Sequence, residues 1–214
     1  PKSYNSQVGV ALSVLGIDSI ADIGILEAGI SKPNEMANLE PIVKPQIGVF
    51  TNLGAAHQEN FDDLHSKAEE KMLLFKNCET LIYSTDYPQI DELAHELKNQ
   101  QALKLFTWSK NKGANVQLQK VDKESASATL HVLCKGKTIN TTIPFTDNAS
   151  IENAMHCITT LIYLGHTSEQ ITTLMPRLQP VAMRLEIKEA INGCTLINDS
   201  YNSDLGSLSI ALDL

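Results

Sequence analysis

Short apolar segments alternate with amphipathic segments of helical period along the first half of the chain, and this alternation limits the fold more than any other feature. The expected strands are residues 23–26, 47–52, 80–84 and 103–108. The expected helices are residues 5–15, 36–43, 62–76 and 91–99. Because strands that alternate with helices usually pair in parallel, the sequence predicts an α/β fold with a doubly wound, mostly parallel sheet.

A different pattern begins after Lys112-Gly113. Lys135-Gly136-Lys137 is typical of a hairpin turn, and strand-like segments surround it. These segments predict a small antiparallel insert or extension. The three strands are expected at residues 116–121, 128–134 and 138–143.

The last third of the chain predicts two helices, a linker and the start of a second α/β domain. Pro176 and Pro180 mark the best candidate for the linker. The expected domains are therefore residues 1–178 and 179–214. The elements expected here are helices at 150–164 and 168–175, strands at 185–188 and 195–198, and a helix from about residue 205.

Composition excludes several classes of protein. A formal net charge of −8 over 214 residues argues against a general polyanion binder, so no nucleic-acid partner is expected. No apolar run approaches the roughly 18 residues that span a bilayer, and no signal peptide is present, so no membrane partner is expected. The start at Pro1 and the end inside an amphipathic pattern suggest a piece of a longer polypeptide. Isolated cysteines without a C-x-x-C pair favour a reduced, cytoplasmic compartment; these are Cys78, Cys134, Cys157 and Cys194.

Two of the expected strands end in residues that suit a ligand site. Glu27 follows the apolar residues 23–26, and His57 closes a loop of small residues after the second strand. Open α/β sheets bind ligands at the carboxyl ends of their strands, and small residues let a ligand approach the backbone. Each residue also has a simpler interpretation, a surface carboxylate for Glu27 and a solvated ring for His57.

Lys71 lies on the apolar face of the third expected helix. It shares the spacing i, i+4, i+7 and i+11 with Leu64, Ala68 and Phe75. One interpretation is a side chain that snorkels to water. The other is a lysine whose pKa is lowered by desolvation, so that its neutral amine takes up carbon dioxide and becomes a metal-binding carbamate. The spacing alone leaves both interpretations open.

Three more polar residues are candidates for a nucleotide site. Asp199, just after a strand, accepts a ribose hydroxyl or caps the following helix. Asn153 lies off the apolar stripe of its helix and contacts either an adenine edge or water. Arg184 follows the proline-rich segment and either reaches a nucleotide across a domain gap or stays at the surface. The sequence has no G-x-x-x-x-G-K-[ST] phosphate loop and no G-x-S-x-G elbow.

Taken in order, these segments resemble the Mur ligase family of ATP-dependent amide-bond-forming enzymes. Each motif alone is weak, but the ordered set spans nearly the whole chain. The order is most similar to the branch that adds D-alanyl-D-alanine to UDP-N-acetylmuramoyl-tripeptide, in the form fused to an alanine racemase in Bacteroidetes-type bacteria. The motifs are Ser3-Tyr4-Asn5-Ser6-Gln7-Val8-Gly9, Glu27-Ala28-Gly29, Thr51-Asn52-Leu53-Gly54-Ala55-Ala56-His57, Ala68-Glu69-Glu70-Lys71, Asn153-Ala154, Met183-Arg184-Leu185-Glu186 and Asn198-Asp199-Ser200-Tyr201-Asn202.

The resemblance implies a central ATPase domain of P-loop NTPase type and the start of a Rossmann-like C-terminal domain. It implies that Glu27 and His57 bind magnesium and that a carbamylated Lys71 supports the same metal, with His57 and Lys71 catalytic. ATP is the implied nucleotide, contacted by Asn153, Arg184, Asp199 and Tyr201. The side of the site that faces the sugar-nucleotide substrate is implied to carry Asn5, Gln7 and Asn52.

The implied reaction is acyl activation: the tripeptide carboxylate is phosphorylated, the amine of D-alanyl-D-alanine attacks, and a tetrahedral intermediate collapses to an amide and phosphate. Two departures from the family pattern bear on it. Ala149 stands where many relatives carry a histidine near the adenine. The phosphate loop would lie upstream of Pro1, so the isolated chain is expected to be inactive. The alternatives are a folylpolyglutamate synthase-like ligase and a non-catalytic interaction domain beside a racemase.

Overall fold

The computed structural model describes residues 4–54, 60–179 and 186–198, and six strands of this part of the chain form one mixed sheet. The strands lie in chain order across the sheet. The first three pairings are parallel and the last two are antiparallel. The strands are β1 (Ile47–Phe50), β2 (Thr80–Ser84), β3 (Lys104–Ser109), β4 (Val116–Lys123), β5 (Ala128–Cys134) and β6 (Lys137–Ile143).

Side-chain caps explain where four of the six described α-helices begin. Ser6, Asp63, Asp147 and Thr167 each accept a hydrogen bond from a backbone N–H in the first turn that follows. Such caps satisfy N–H groups that have no partner inside the helix. The helices are α1 (Gln7–Leu15), α2 (Glu35–Val43), α3 (Leu64–Met72), α4 (Pro88–Gln100), α5 (Asn148–Tyr163) and α6 (Ser168–Leu174).

Helices cover both faces of the parallel part of the sheet, which confirms the doubly wound α/β prediction. All five residues of β2 are buried. Successive side chains of a strand point to opposite faces. Leu81 and Tyr83 accordingly pack in one core with residues of α3 and α4, whereas Ile82 packs in a second core with residues of α5.

The predicted antiparallel element is part of the main sheet. Trp108 of β3 pairs in parallel with Val116 of β4, so the hairpin strands extend the same sheet. The turn between β5 and β6 consists of Lys135 and Gly136, whose φ angles are 48° and 76°. Positive φ at both positions is the geometry that fits the twist of a two-residue hairpin.

Every predicted strand lies within two residues of its observed bounds except the one at residues 23–26. Residues 23–26 form no strand, and Ile23 and Ile25 are 63% and 92% exposed. A strand needs a hydrogen-bonded neighbour, and no described strand pairs with this apolar segment. β1 ends at Phe50, two residues earlier than predicted. The carbonyl groups of Thr51 and Asn52 accept hydrogen bonds from side chains.

Beyond the main sheet, β7 (Glu186–Glu189) and β8 (Thr195–Asn198) form an antiparallel pair close to the predicted strands. The helix expected from about residue 205 lies outside the described residues, and the domain boundary at 178 stays a prediction.

All four cysteines are free thiols. None of the helices in the described ranges has the length and apolar character needed to cross a bilayer.

The buried His156 joins helix α5 to strand β3 and to the residue that follows β1. His156 of α5 is 3% exposed, and its ring meets that of Trp108 edge-on with centroids 5.2 Å apart. Trp108 Nε1 donates to His156 Nδ1 at 3.1 Å, and His156 Nε2 lies 2.6 Å from the carbonyl oxygen of Thr51. Because an indole N–H only donates and a carbonyl only accepts, the proton of the neutral ring is on Nε2. Burial lowers the pKa of His156 to about 4.

The lowered pKa makes stability depend on pH. As pH falls from about 6.5 to about 4, the unfolded chain takes up this proton before the folded chain does, so His156 costs progressively more stability. The full effect corresponds to about 3 kcal/mol. We expect the free energy of unfolding in urea to fall between pH 7.5 and 4.5, and His156→Phe to remove much of that fall. A His156→Phe variant with the full pH dependence of the wild type would contradict this assignment.

Gly48 of β1 has no room for a side chain. A Cβ atom there would lie 2.4 Å from Cδ1 of Phe75, a buried ring beside Phe50. We expect Gly48→Ala to lower the free energy of unfolding by about 1–3 kcal/mol, because the buried ring has to move. Gly16→Ala is the control, since its Cβ would meet only backbone oxygens at 3.5 Å. Equal denaturation midpoints for the two variants would disprove the prediction.

Candidate active site

Three carbonyl groups just after β1 accept hydrogen bonds from side chains of two helices. His156 of α5 donates to the oxygen of Thr51 at 2.6 Å. Lys71 and Lys67 of α3 donate from Nζ to the oxygens of Asn52 and Gly54, at 2.9 and 2.6 Å. We call residues 51–54 the β1 loop. Since each carbonyl is held by a different side chain, the backbone of this loop is fixed at the carboxyl end of the sheet, where α/β proteins bind ligands.

Lys71 is partly desolvated, which is the second of the two interpretations that its spacing left open. Its side chain is half-buried, and Nζ lies 5.5 Å from the centroid of the Phe50 ring. Desolvation, and to a lesser extent the positive charge of Lys67, lower its pKa from 10.5 to about 8. Ala68 and Phe75 of the predicted face are buried, whereas Leu64 is 40% exposed because it is the first residue of α3. A large fraction of Lys71 is therefore neutral near pH 8.

Lys67 is a residue of this site that the sequence analysis missed. Its side chain is 2% exposed, and it lies one helical turn before Lys71. A lysine is almost never buried without hydrogen-bonding partners, and the carbonyl of Gly54 is one of them. The signal was present in the sequence, because the i, i+4 spacing places Lys67 and Lys71 on the same side of α3.

Glu27, a predicted metal ligand, and Asn5, a predicted substrate-side residue, are hydrogen-bonded to each other. Asn5 Nδ2 donates to Oε1 of the exposed Glu27 at 2.9 Å, and the Asn5 carbonyl accepts from the N–H of Gly29 at 2.8 Å. Gln7 is engaged differently: its Nε2 donates to the backbone oxygen of Glu35 at 2.9 Å. The carboxylate of Glu27 is accessible to a ligand, whereas the amide of Gln7 joins α1 to the start of α2.

A cavity of about 240 Å³ lies between the β1 loop and the first turns of α4 and α5. The hydroxyl of Tyr87 donates to Oε1 of Glu152 at 2.7 Å across it, and burial raises the pKa of Tyr87. Asn153 is exposed on the same helix but is not among the lining residues. The cavity is lined by Asn52, Leu53, Gly54, Tyr87, Asn148, Ala149 and Glu152.

The remaining predicted site residues are not part of the described structure. His57, Arg184, Asp199 and Tyr201 lie outside the described residues, and their roles stay predictions. Within the described ranges, no three His, Cys, Asp or Glu side chains cluster closely enough to hold a metal. Magnesium does not require such a cluster, because it usually keeps several waters and binds one or two carboxylates together with substrate phosphates. Glu27 is an exposed carboxylate of the kind that magnesium binds.

Comparison with known proteins identifies the family. Residues 1–161 match the Mur ligase middle domain. The UDP-N-acetylmuramoyl-tripeptide–D-alanyl-D-alanine ligase of Bacillus subtilis (strain 168) is 27% identical over 215 residues, which cover 99% of this chain and 45% of the relative. The ligase of the same name from Borreliella burgdorferi is 28% identical over 214 residues, covering 96% of this chain and 43% of its own. The chain thus spans less than half the length of these curated relatives.

Solved structures show the same fold. MurF from Acinetobacter baumannii superimposes with a TM-score of 0.88 at 18% identity, covering 100% of this chain and 46% of its own. MurF from Thermotoga maritima in complex with ADP has a TM-score of 0.73 at 17% identity, and the match covers 99% of this chain and 54% of that MurF chain. FPGS from L. casei has a TM-score of 0.70 at 15% identity, and the match covers 90% of this chain and 47% of the FPGS chain. The sheet, its two helical layers and the match over residues 1–161 agree, and the chain belongs to the Mur ligase family.

Proposed function

We propose that this chain is the ATP-binding part of an amide-bond ligase that joins D-alanyl-D-alanine to UDP-N-acetylmuramoyl-tripeptide. The observation that carries the proposal is the half-buried Lys71, whose pKa is about 8 and whose amine is held against the carbonyl of Asn52 at the end of a parallel strand. The names of the curated relatives support the choice of substrates. A perturbed lysine at such a position is typical of a functional site.

The lysine is proposed to act as a carbamate. Its neutral amine attacks carbon dioxide, a nitrogen–carbon bond forms, and one proton is released to solvent, which leaves an anionic carbamate. The carbamate nitrogen of Lys71 keeps one N–H group, so it still donates to the carbonyl of Asn52. The modification thus converts a cation into a metal ligand and keeps the contact seen in the structure.

Magnesium is proposed as the metal, held by Glu27, His57 and the carbamate of Lys71. It would neutralise charge on the transferring phosphoryl group. The chain's own residues orient the ligands: Asn5 Nδ2 holds one oxygen of Glu27, and the carbonyl of Asn52 holds the nitrogen of Lys71.

ATP is proposed to bind at the same edge of the sheet. Asn153 is assigned to the adenine, and the ADP in the Thermotoga maritima neighbour supports an adenine nucleotide at this fold. Arg184, Asp199 and Tyr201 are assigned to the nucleotide from the C-terminal side. The substrate side of the site is assigned to Asn5, Gln7 and Asn52, with Gln7 acting through its contact to α2.

The reaction follows from holding three substrates together. The terminal carboxylate of the tripeptide accepts the γ-phosphoryl group of ATP and becomes an acyl phosphate. The amine of D-alanyl-D-alanine attacks that carbonyl, and the tetrahedral intermediate collapses with loss of phosphate and a proton to give the amide. A covalently linked alanine racemase and a cytoplasmic location are part of this proposal.

A folylpolyglutamate synthase-like activity is the second candidate, because FPGS from L. casei shares the fold. The curated relatives named above favour the cell-wall substrates over this alternative. A substrate panel with the full-length protein separates the two: turnover with a folate and glutamate in place of the peptide substrates would overturn the first choice. The isolated chain is expected to show no turnover, because its sequence contains no glycine-rich phosphate loop.

Removal of the lysine tests the site. In the full-length protein we expect Lys71→Ala to lower kcat on the order of 10²- to 10³-fold, the usual loss when one charge-stabilising group is removed. Formate or acetate should restore part of the activity by supplying the missing carboxylate. Lys76→Ala, which removes a lysine with a 47% exposed side chain just beyond α3, is the control and should keep wild-type turnover. Unchanged turnover in Lys71→Ala would refute the carbamate.

Carbamate formation should depend on pH and carbon dioxide. The pKa of about 8 means that the neutral, reactive fraction of Lys71 rises steeply between pH 6 and pH 8. We expect ¹³C NMR of the protein with ¹³C-bicarbonate to show a carbamate signal that is stronger at pH 8 than at pH 6 and absent in Lys71→Ala. A signal of equal strength in that variant would place the modification elsewhere.

A further inference from the structure

The imidazole of His156 joins two parts of the proposed site that are 105 residues apart in sequence. Its ring belongs to α5, the helix that also carries Asn153 and Glu152. Its Nε2 atom is 2.6 Å from the carbonyl oxygen of Thr51, the first residue after β1. The ring therefore sets the distance between α5 and the β1 loop.

Trp108 fixes the form of the ring that makes this contact. Its indole N–H donates to Nδ1 of His156, so Nδ1 is unprotonated and Nε2 carries the hydrogen. Because Nε2 carries the only ring N–H, His156 is the donor and the carbonyl of Thr51 is the acceptor in this hydrogen bond. The T-shaped packing of the two rings restricts the orientation of the imidazole.

The β1 loop is the part of the site that this contact orients. The next carbonyl, that of Asn52, accepts from Lys71, and the loop also forms one wall of the cavity that faces Glu152. A shift of Thr51 would move the acceptor of Lys71 relative to α5. At the other end of the loop, Lys67 of α3 donates to the carbonyl of Gly54, so side-chain hydrogen bonds hold both ends of the loop.

We propose that His156 is a positioning residue of the ligase reaction, whose Nε2–H holds the carbonyl of Thr51 and thereby keeps the lysine end of the site in register with the nucleotide-binding helix α5. This inference rests on the proposed function. His156 itself touches neither substrate nor metal; it acts through the backbone of the β1 loop.

Two substitutions separate the contact with Thr51 from the rest of the ring. His156→Gln places an amide N–H near the position of Nε2, whereas His156→Asn places its polar group near Nδ1 and offers no donor to Thr51. Both variants lose the ring and its packing on Trp108, so both are expected to melt at lower temperature than the wild type. A merely structural role predicts similar losses of activity in both.

We expect steady-state kinetics of the full-length protein, measured below both melting transitions, to distinguish them. His156→Gln should keep kcat within about threefold of the wild type. His156→Asn should lower kcat by about tenfold or more, since small displacements of an active-site element reduce rate strongly. The KM for ATP should change by less than about threefold in either variant, because α5 stays in place. Equal kcat values for the two variants would overturn the proposal.

Two further measurements do not depend on ligase activity, and the first of them needs no variant. In the wild-type protein, ¹⁵N NMR of the imidazole should show the hydrogen on Nε2; a hydrogen on Nδ1 would rule out donation to Thr51 and overturn the proposal. Amide hydrogen exchange at Asn52, Leu53 and Gly54 should be about tenfold faster in His156→Asn than in His156→Gln. If the wild type lacks ligase turnover, the proposed function fails, and exchange and NMR still decide the role of His156.

Discussion

The candidate site depends on the hydrogen bonds that side chains donate to the backbone carbonyls after β1. A carbonyl that leaves a β-ladder loses the N–H donor of the neighbouring strand and needs another donor, from water or from a side chain. Here the donors are side chains: His156 at Thr51, Lys71 at Asn52 and Lys67 at Gly54. They belong to helices on opposite faces of the sheet, so the two hydrophobic cores are tied together at this loop. The hydrogen bond that satisfies the carbonyl of Asn52 thus also fixes the position of the Lys71 amine.

The chemistry assigned to Lys71 follows from this arrangement. Burying an ammonium group among apolar neighbours lowers its pKa, and a second lysine one turn away lowers it further. The carbonyl of Asn52 accepts a hydrogen bond from Lys71 Nζ. It would accept one equally from a carbamate N–H, so the proposed modification would need no movement of the side chain. A carbamate on Lys71 would bring negative charge next to Lys67, and Coulomb attraction between the two would then favour the modified state.

The sequence predicted elements whose signal is local and missed contacts that are made across the sheet. β2, β5 and β8 have the predicted bounds, because each apolar run is closed by turn residues. Residues 23–26 have an apolar run of the same quality, yet pairing requires a neighbour, which a periodic pattern does not report. Lys67 was detectable from its spacing to Lys71. His156 was not, because its partners Trp108 and Thr51 come from β3 and from the end of β1.

Helix α5 explains how a site of this kind is assembled from distant segments. Its apolar residues, Met155 and Ile158 among them, anchor it in the core beneath the sheet. Its polar residues make contacts in other directions: Glu152 accepts from Tyr87 at the start of α4, and His156 donates to the β1 loop. A rigid, buried helix transmits position better than a loop does. Asn153 lies one helical turn before His156 on α5, and His156 holds the loop whose Asn52 carbonyl accepts from Lys71. A nucleotide bound through Asn153 would therefore be kept at a fixed distance from Lys71.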